Sequence, residues 1–343
     1  MTKLIIQIPC YNEEETLAET LASLPRTLPG IDVVETLVID DGSTDATADV
    51  ARRAGVTYLL RFPRNQGLAR AFSAGLDASL KLGADIVVNT DADNQYRGDE
   101  VVKLIRPILD GRADMVVGDR APYSVPHFGF WKRVLQRLGS WTVRLLSGTT
   151  VPDATSGFRA FSRRAALRLN VLSEFTYTLE TIIQAGKKQI PIAYVPVHAR
   201  AVSRPSRLFL SVSHYLRRSI ATLVRTFALY EPLKFFGIFG VTLVSVGIVV
   251  AARFVWDYFT EGGAGHIQSL ILSATLIIVG FQTLQIALVA DLIGSSRRLL
   301  EDTLLRVRKL ELEIGNPEVD YHDGGLGAPP PEAGARRLGG RGA

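Results

Sequence analysis

Residues 84–96 read ADIVVNTDADNQY, and the order of these side chains decides what kind of fold to expect. An apolar run ends at Asn89, two carboxylates one residue apart follow at Asp91 and Asp93, and an amide stands beyond them at Gln95. A short continuous apolar run bounded by turn residues is the pattern of a strand buried on both faces of a parallel sheet. In open α/β sheets, ligands gather just beyond the ends of such strands. Asp91 and Asp93 at that edge suit a hard divalent cation, with Gln95 offering a neutral oxygen, although ordinary surface turns also contain Asp-x-Asp.

Three more runs of this kind occur, LIIQI at 4–8, TLVID at 36–40 and DMVVG at 114–118. Helical patterns lie between them. NEEETLAETLASL offers Asn12 as an N-cap with Glu15 three residues on, followed by Leu17, Leu21 and Leu24 at helical spacing. STDATADVARRAG offers Ser43 as a cap and Gly55 as a stop, and GLARAFSAGLDASLKLG closes at Gly83. Alternation of strand and helix predicts an open, mostly parallel α/β sheet.

The 343 residues allow one large or two small domains, and their 47% apolar content is concentrated in residues 235–293. Net charge is +5, which suits nucleic acid, anionic lipid or a phosphorylated ligand. The single Cys10 excludes an internal disulfide framework and a cysteine metal site, and it reads as a small buried hydrophobe in a reducing compartment. The start, MTKLIIQIP, is too short an apolar run for a secretory signal, so structure is expected from the first residues.

Residues 121–152 contain no acid but carry Lys132, Arg133, Arg137 and Arg144 among aromatic residues. Residues 181–230 are also free of acids, and their later part mixes Arg217, Arg218 and Arg225 with apolar residues, as an interfacial helix over 206–232 would. Both stretches read either as solvated basic faces or as surfaces for lipid phosphates. Residues 233–294 hold two runs long enough to span a bilayer, 235–256 with only Arg253 charged and 267–290 with no charge. The loop between them lacks Lys and Arg, whereas the outer flanks are rich in both. The positive-inside rule therefore places both termini, and with them the α/β domain, in the cytoplasm, and the membrane is expected to be a bacterial inner or plasma membrane. The expected organisation is an α/β domain over 1–205, the interfacial helix, two spans, a charged cytoplasmic helix over 295–314 with a short apolar stripe suited to a homo-oligomer contact, and a Gly- and Pro-rich disordered tail over 315–343.

The remaining strand ends carry their own chemistry. VIDDGSTD places Asp40 and Asp41 at the same sheet edge as Asp91, where a carboxylate can accept from a ribose hydroxyl or a base N–H, or simply cap the turn. In IPCYNEEET, Pro9 fixes the chain exit, Tyr11 can stack on a base and Glu13 can accept from it. Arg64, Asn65 and Gly67 stand at a third loop-to-helix junction whose amides suit anionic oxygens. No Walker A loop, dinucleotide glycine fingerprint, recognition helix or zinc module is present, and nucleic acid is not an expected partner.

IPCYNEEETL, LVIDDGSTDAT, RNQGLARA, NTDADNQY, VVGDR and DATSGFRAFSR, in this order, resemble glycosyltransferase family 2, with its Rossmann-like GT-A fold. Within that family the resemblance is to the polyprenyl-phosphate glycosyltransferase branch, the dolichol-phosphate mannose synthase type, whose members also carry a two-helix appendage. The resemblance implies that Pro9, Tyr11, Glu13 and Asp40 contact the nucleotide, and that Asp91, Asp93 and Gln95 manage Mg²⁺ or Mn²⁺ with the sugar diphosphate. It further implies that Arg120, Asp153, Ser156, Gly157, Phe158 and Arg159 line the acceptor side, although Phe158 can equally be core and Arg159 an ion-pair partner. Near the membrane the chain has SRPSRL, so Ser206 and Arg207 match the branch while Arg204 stands where it has glycine.

The reaction so implied moves one sugar from a nucleotide-sugar to a polyprenyl phosphate, undecaprenyl or dolichyl, with inversion. The acceptor is already an anion near neutral pH and needs no strong base. Arg120, Arg200, Arg204 or Arg207 can grip its phosphate, and Glu180 is the candidate if a protein base is used. A flippase or a downstream transferase is the expected protein partner. Two other readings stay open: a processive polysaccharide synthase, whose QxxRW element QRLGSW does not match, and a catalytically silent membrane scaffold.

Overall fold

The computed structural model describes residues 1–120, 152–171, 177–200, 224, 227–228, 230–261 and 267–314. The chain divides into two compact units, one formed by residues 1–126, 152–204 and 311–343, the other by 127–151 and 205–310.

The first unit is built on a seven-stranded sheet in the order β3-β2-β1-β4-β6-β5-β7. Its strands are β1 (Lys3–Cys10), β2 (Val33–Asp40), β3 (Tyr58–Arg61), β4 (Ile86–Asn89), β5 (Met115–Asp119), β6 (Arg159–Ser162) and β7 (Ile192–Pro196). The four apolar runs legible in the sequence are β1, β2, β4 and β5. Pairing is parallel except at β6, which runs antiparallel to both β4 and β5. β3, β6 and β7 are short, and only β7 lacks a buried residue.

Register explains why the acidic turns meet. Cys10 pairs with Asp40 across β1 and β2, and Gln7 pairs with Asn89 across β1 and β4, so all three strands end at one edge. Helices α1 (Leu17–Ser23), α2 (Thr47–Arg53), α3 (Leu68–Lys81), α4 (Val101–Leu109), α5 (Arg163–Arg168) and α6 (Tyr177–Lys187) complete the unit. On one face Leu4, Ile6, Ile8, Val38, Val88 and Val116 pack with Leu17 of α1 and with Leu104 and Ile105 of α4. Burying each such side chain contributes about 1.5–3 kcal/mol. On the other face Phe72 of α3 lies 5.7 Å from the ring of Phe161 and stacks on Tyr177 of α6 at 3.9 Å.

Two expected caps differ. Asn12 adopts a left-handed φ of 55° and α1 begins later, at Leu17, with Thr16 in the cap position. The Asn12 side chain is used across the loops instead, where its Oδ1 accepts from Thr44 N at 2.9 Å. Ser43 likewise does not cap α2, which starts at Thr47. Gly55 and Gly83 do follow their helices with positive φ, 72° and 83°, as expected of helix stops.

The second unit contains α7 (Pro232–Glu261) and, up to Leu310, α8 (Ile267–Ile314). Both are long and apolar enough to cross a membrane by length and composition. The second span and the charged helix expected after it are one uninterrupted helix of 48 residues, because GSS at 294–296 carries no proline to break it. Glycines let the two backbones touch. A Cβ on Gly280 would lie 2.8 Å from Val244 N, and Ser273 Oγ donates to Gly247 O at 2.9 Å. The basic stretch at 121–150, most of the interfacial helix and the tail over 315–343 lie outside the described residues.

Candidate active site

The loops leaving β1 and β2 are locked together by reciprocal hydrogen bonds. Asn12 N donates to Ser43 Oγ at 2.9 Å, Glu13 N to Thr47 Oγ1 at 2.8 Å, and Ala46 N to Glu14 Oε2 at 2.9 Å. Gly42 presses against the third loop. With φ at 68°, its Cβ would stand 2.4 Å from the carbonyl carbon of Arg64. Gly42→Ala therefore combines left-handed strain with a backbone clash and is expected to cost about 3 kcal/mol. A thermal melt should show Tm lower by roughly 10 °C.

Pro9 is buried at the end of β1, and Tyr11 beyond it is 43% exposed, an aromatic face at the strand edge. Asp40 is fully buried. Its Oδ1 accepts from Ser43 N at 2.9 Å, and its Oδ2 faces Arg61 Nε at 3.1 Å. Asp41 departs from its expected place among the nucleotide ligands. Both of its oxygens are taken by backbone amides, Gln66 N at 2.7 Å and Gly67 N at 2.8 Å, so it ties down the loop that starts α3. The Arg64 side chain in that loop is exposed.

The thiol of Cys10 lies inside this edge and donates to Ile8 O at 3.2 Å. Burial pushes its pKa well above the usual thiol value, and the nearby carboxylates of Glu13, Asp40, Asp45 and Asp91 push the same way. A thiolate does not form at pH 8, so Cys10 should resist iodoacetamide in the folded protein and react only in denaturant. Mass measurement of the alkylated chain reads the difference.

Asp91 is half-buried, and its carboxylate rests on Gly157. A Cβ there would lie 2.8 Å from both carboxylate oxygens. Burial and the neighbouring Asp93 push the Asp91 carboxyl up to about 7, and Arg120 and Arg159 do not fully offset them. Asp93 Oδ1 accepts from Gln95 N at 3.1 Å, and Gln95 O accepts from Arg200 N at 2.9 Å. With the bridge between Tyr96 and Ala199, this brings Arg200 to the acidic loop.

Arg120, at the end of β5, donates from Nε to Asp153 Oδ2 at 2.7 Å and from Nη2 to Thr155 Oγ1 at 2.8 Å. Burial works against the charge of Asp153, but Arg120 beside it holds the carboxyl below the usual range. Three residues expected on the acceptor side are buried. Phe158 is 1% exposed and stacks on Tyr96 at 4.7 Å, and Ser156 is fully buried. Arg159 is fully buried, with its guanidinium 5.8 Å from the centre of the Tyr177 ring. It donates to Ser156 O, Thr178 O, Thr181 Oγ1 and Ala154 O, which fastens the DATSG loop to α6. Glu180 accepts from Gln184 at 3.2 Å and is 8% exposed. Arg204, Ser206 and Arg207 lie outside the described residues.

Sequence reasoning missed the polar chain beneath Asp91. Asn89 is fully buried. Its Nδ2 donates to Gly157 O and to Tyr177 Oη, both at 2.9 Å, and its Oδ1 accepts from Gln7 Nε2 at 2.9 Å. The signal was present, since Gln7 and Asn89 are amides inside otherwise apolar strands and such groups are buried only when bonded.

Do these residues suit a divalent cation? Among the described residues no three carboxylates or imidazoles form a closed cage. Two carboxylates with surplus negative charge are what Mg²⁺ or Mn²⁺ needs when a diphosphate and water complete the shell, and Asp91 and Asp93 provide them. The donor set fits.

Residues 5–169 match the family model described as Glycosyl transferase family 2. The chain is 31% identical over 214 residues to the UDP-N-acetylglucosamine–dolichyl-phosphate N-acetylglucosaminyltransferase of Methanococcus voltae, covering 55% of this chain and 82% of that protein. It is 28% identical over 211 residues to the undecaprenyl-phosphate mannosyltransferase of Micrococcus luteus, covering 56% and 84%. Among solved structures, glucosyl-3-phosphoglycerate synthase of Mycobacterium tuberculosis, in complex with Mn²⁺, UDP and phosphoglyceric acid, superposes with a TM-score of 0.51 at 23% identity, covering 66% and 78%. That likeness shows the GT-A type of fold.

Proposed function

Because the chain belongs to glycosyl transferase family 2 and is a glycosyltransferase, we propose that it transfers one sugar from a nucleotide-sugar to a polyprenyl phosphate at a membrane surface. One observation carries the reading: the carboxylates of Asp91 and Asp93 lie at one sheet edge beside Arg120, and the Arg200 backbone is bonded to the same loop, its guanidinium 3.8 Å from Glu19. Relatives named for dolichyl and undecaprenyl phosphate support the acceptor class, and a structural neighbour holding UDP and Mn²⁺ supports the donor class.

In this reading Tyr11, Glu13 and Asp40 border the nucleotide at the interlocked β1 and β2 loops. Asp91 and Asp93 hold Mg²⁺ or Mn²⁺, which when bound supplies positive charge beside the departing diphosphate. Arg120 and Arg200, with Arg204 and Arg207 further along the chain, draw in the acceptor phosphate and orient it. One phosphate oxygen forms a bond to the anomeric carbon as the bond from that carbon to the diphosphate oxygen breaks, which inverts the centre and releases the nucleoside diphosphate. No side chain need remove a proton, because the acceptor oxygen is already ionised. The helices over 233–294 anchor the enzyme, with both termini cytoplasmic.

The test is direct. Purified chain in detergent receives a panel of nucleotide-sugars, Mg²⁺ or Mn²⁺, and polyprenyl phosphate, and the lipid is weighed by mass spectrometry. A lipid heavier by one sugar is expected. A sugar polymer would favour the processive synthase, and an unchanged lipid with every donor would leave the scaffold.

A further inference from the structure

We propose that Asn89 is a positioning residue for the cation site: its carboxamide, steadied by Gln7, fixes Gly157 and Tyr177 as the floor on which the Asp91 carboxylate rests. This rests on the cation reading of Asp91 and deepens it. The antiparallel ladder between β4 and β6 ends at the pair Asn89 and Arg159, where the two strands part. Beyond that point β4 runs on to Asp91, while the other chain comes from Gly157, whose carbonyl has no ladder partner. The Asn89 side chain takes that carbonyl at 2.9 Å and the Tyr177 hydroxyl at 2.9 Å. The same hydroxyl approaches Gly157 O at 3.3 Å and stands 3.0 Å from where a Gly157 Cβ would lie. Asn89 thus spans the fork between Asp91 and the surface that Asp91 presses on.

An apolar side chain here would deprive Gly157 O and Gln7 Nε2 of this partner in a fully buried site. The amide is retained where it is bonded on three sides, to Gln7, Gly157 and Tyr177. Partners that orient a metal-binding carboxylate from behind change metal affinity by about 10–100-fold when removed. The aromatic stack of Tyr177 on Phe72 keeps the hydroxyl in place even if its hydrogen bond is lost.

The full chain in detergent tests this without turnover. Free Mn²⁺ is followed by electron paramagnetic resonance in the presence of UDP or GDP, whichever raises Tm more. Tyr177→Phe is expected to weaken Mn²⁺ binding about 10-fold while Tm stays within a few degrees, and Asn89→Leu to weaken it at least as much. Leu104→Val, a core truncation on the other sheet face, should lower Tm yet leave Mn²⁺ affinity unchanged. Binding within twofold of the parent in both Tyr177→Phe and Asn89→Leu, or an equal loss in Leu104→Val, overturns the inference alone. No Mn²⁺ binding by the parent chain overturns the cation reading and this inference with it.

Discussion

Asp93→Ala is expected to lower kcat/KM about 10³-fold, a loss of roughly 4 kcal/mol in transition-state stabilisation, with no fall in Tm. The two halves of this expectation come from the same contact. Asp93 and burial together push the Asp91 carboxyl up to about 7, so in the bare fold the two carboxylates oppose each other. Removing Asp93 relieves that repulsion, and its Oδ1 accepts from Gln95 N at 3.1 Å on a partly exposed loop. Catalysis suffers, because a single remaining carboxylate holds a hard cation far more weakly than two. The measurement is steady-state transfer to polyprenyl phosphate across a Mn²⁺ titration, beside a melt of the metal-free protein. Turnover within a few-fold of the parent would end the role assigned to Asp93, and a Tm drop of many degrees would mean that the residue is structural.

What the sequence made legible follows physical lines. The four strands with continuous apolar runs announce themselves because both faces are covered, as in IVVN, where all four residues are buried. Their shared edge follows from parallel pairing, which carries Asp40 and Asp91 to the same side. β6 was hidden because its residues, RAFS, carry an arginine as their first member, and an arginine at a strand start ordinarily reads as surface. Its burial becomes intelligible only once the carbonyls of residues 154, 156 and 178 are seen to surround it. The same long-range dependence hid the surroundings of Asp41 and Ser156. A carboxylate in a DDGS turn looks alike whether it meets a ligand or two amides 25 residues away. The placement of Asp91 and Asp93 needed no such knowledge, since it follows from the strand that ends just before them.

Gly157→Ala should be nearly as damaging to turnover as loss of the carboxylate, yet mild for the fold. Glycine is required here by proximity. The added methyl would meet Asp91 Oδ1 and Oδ2 at 2.8 Å and the Tyr177 hydroxyl at 3.0 Å, all closer than a carbon can approach. Tyr177 cannot retreat, because its ring is stacked on Phe72 and is 1% exposed. The carboxylate of Asp91 is the free end of a half-buried side chain, so it is the group that moves. Overpacking relieved by one such rotation costs about 1 kcal/mol, which lowers Tm by only a few degrees. A displacement of that size in a group that places charge at the reaction centre lowers kcat on the order of 10²-fold or more. Nucleoside diphosphate binding without metal should be retained, because Tyr11, Glu13 and Asp40 are on other loops. A variant that keeps full kcat would show that Asp91 tolerates the shift and that its present position has no catalytic meaning. One that loses metal-free nucleotide binding as well would place the damage in the fold.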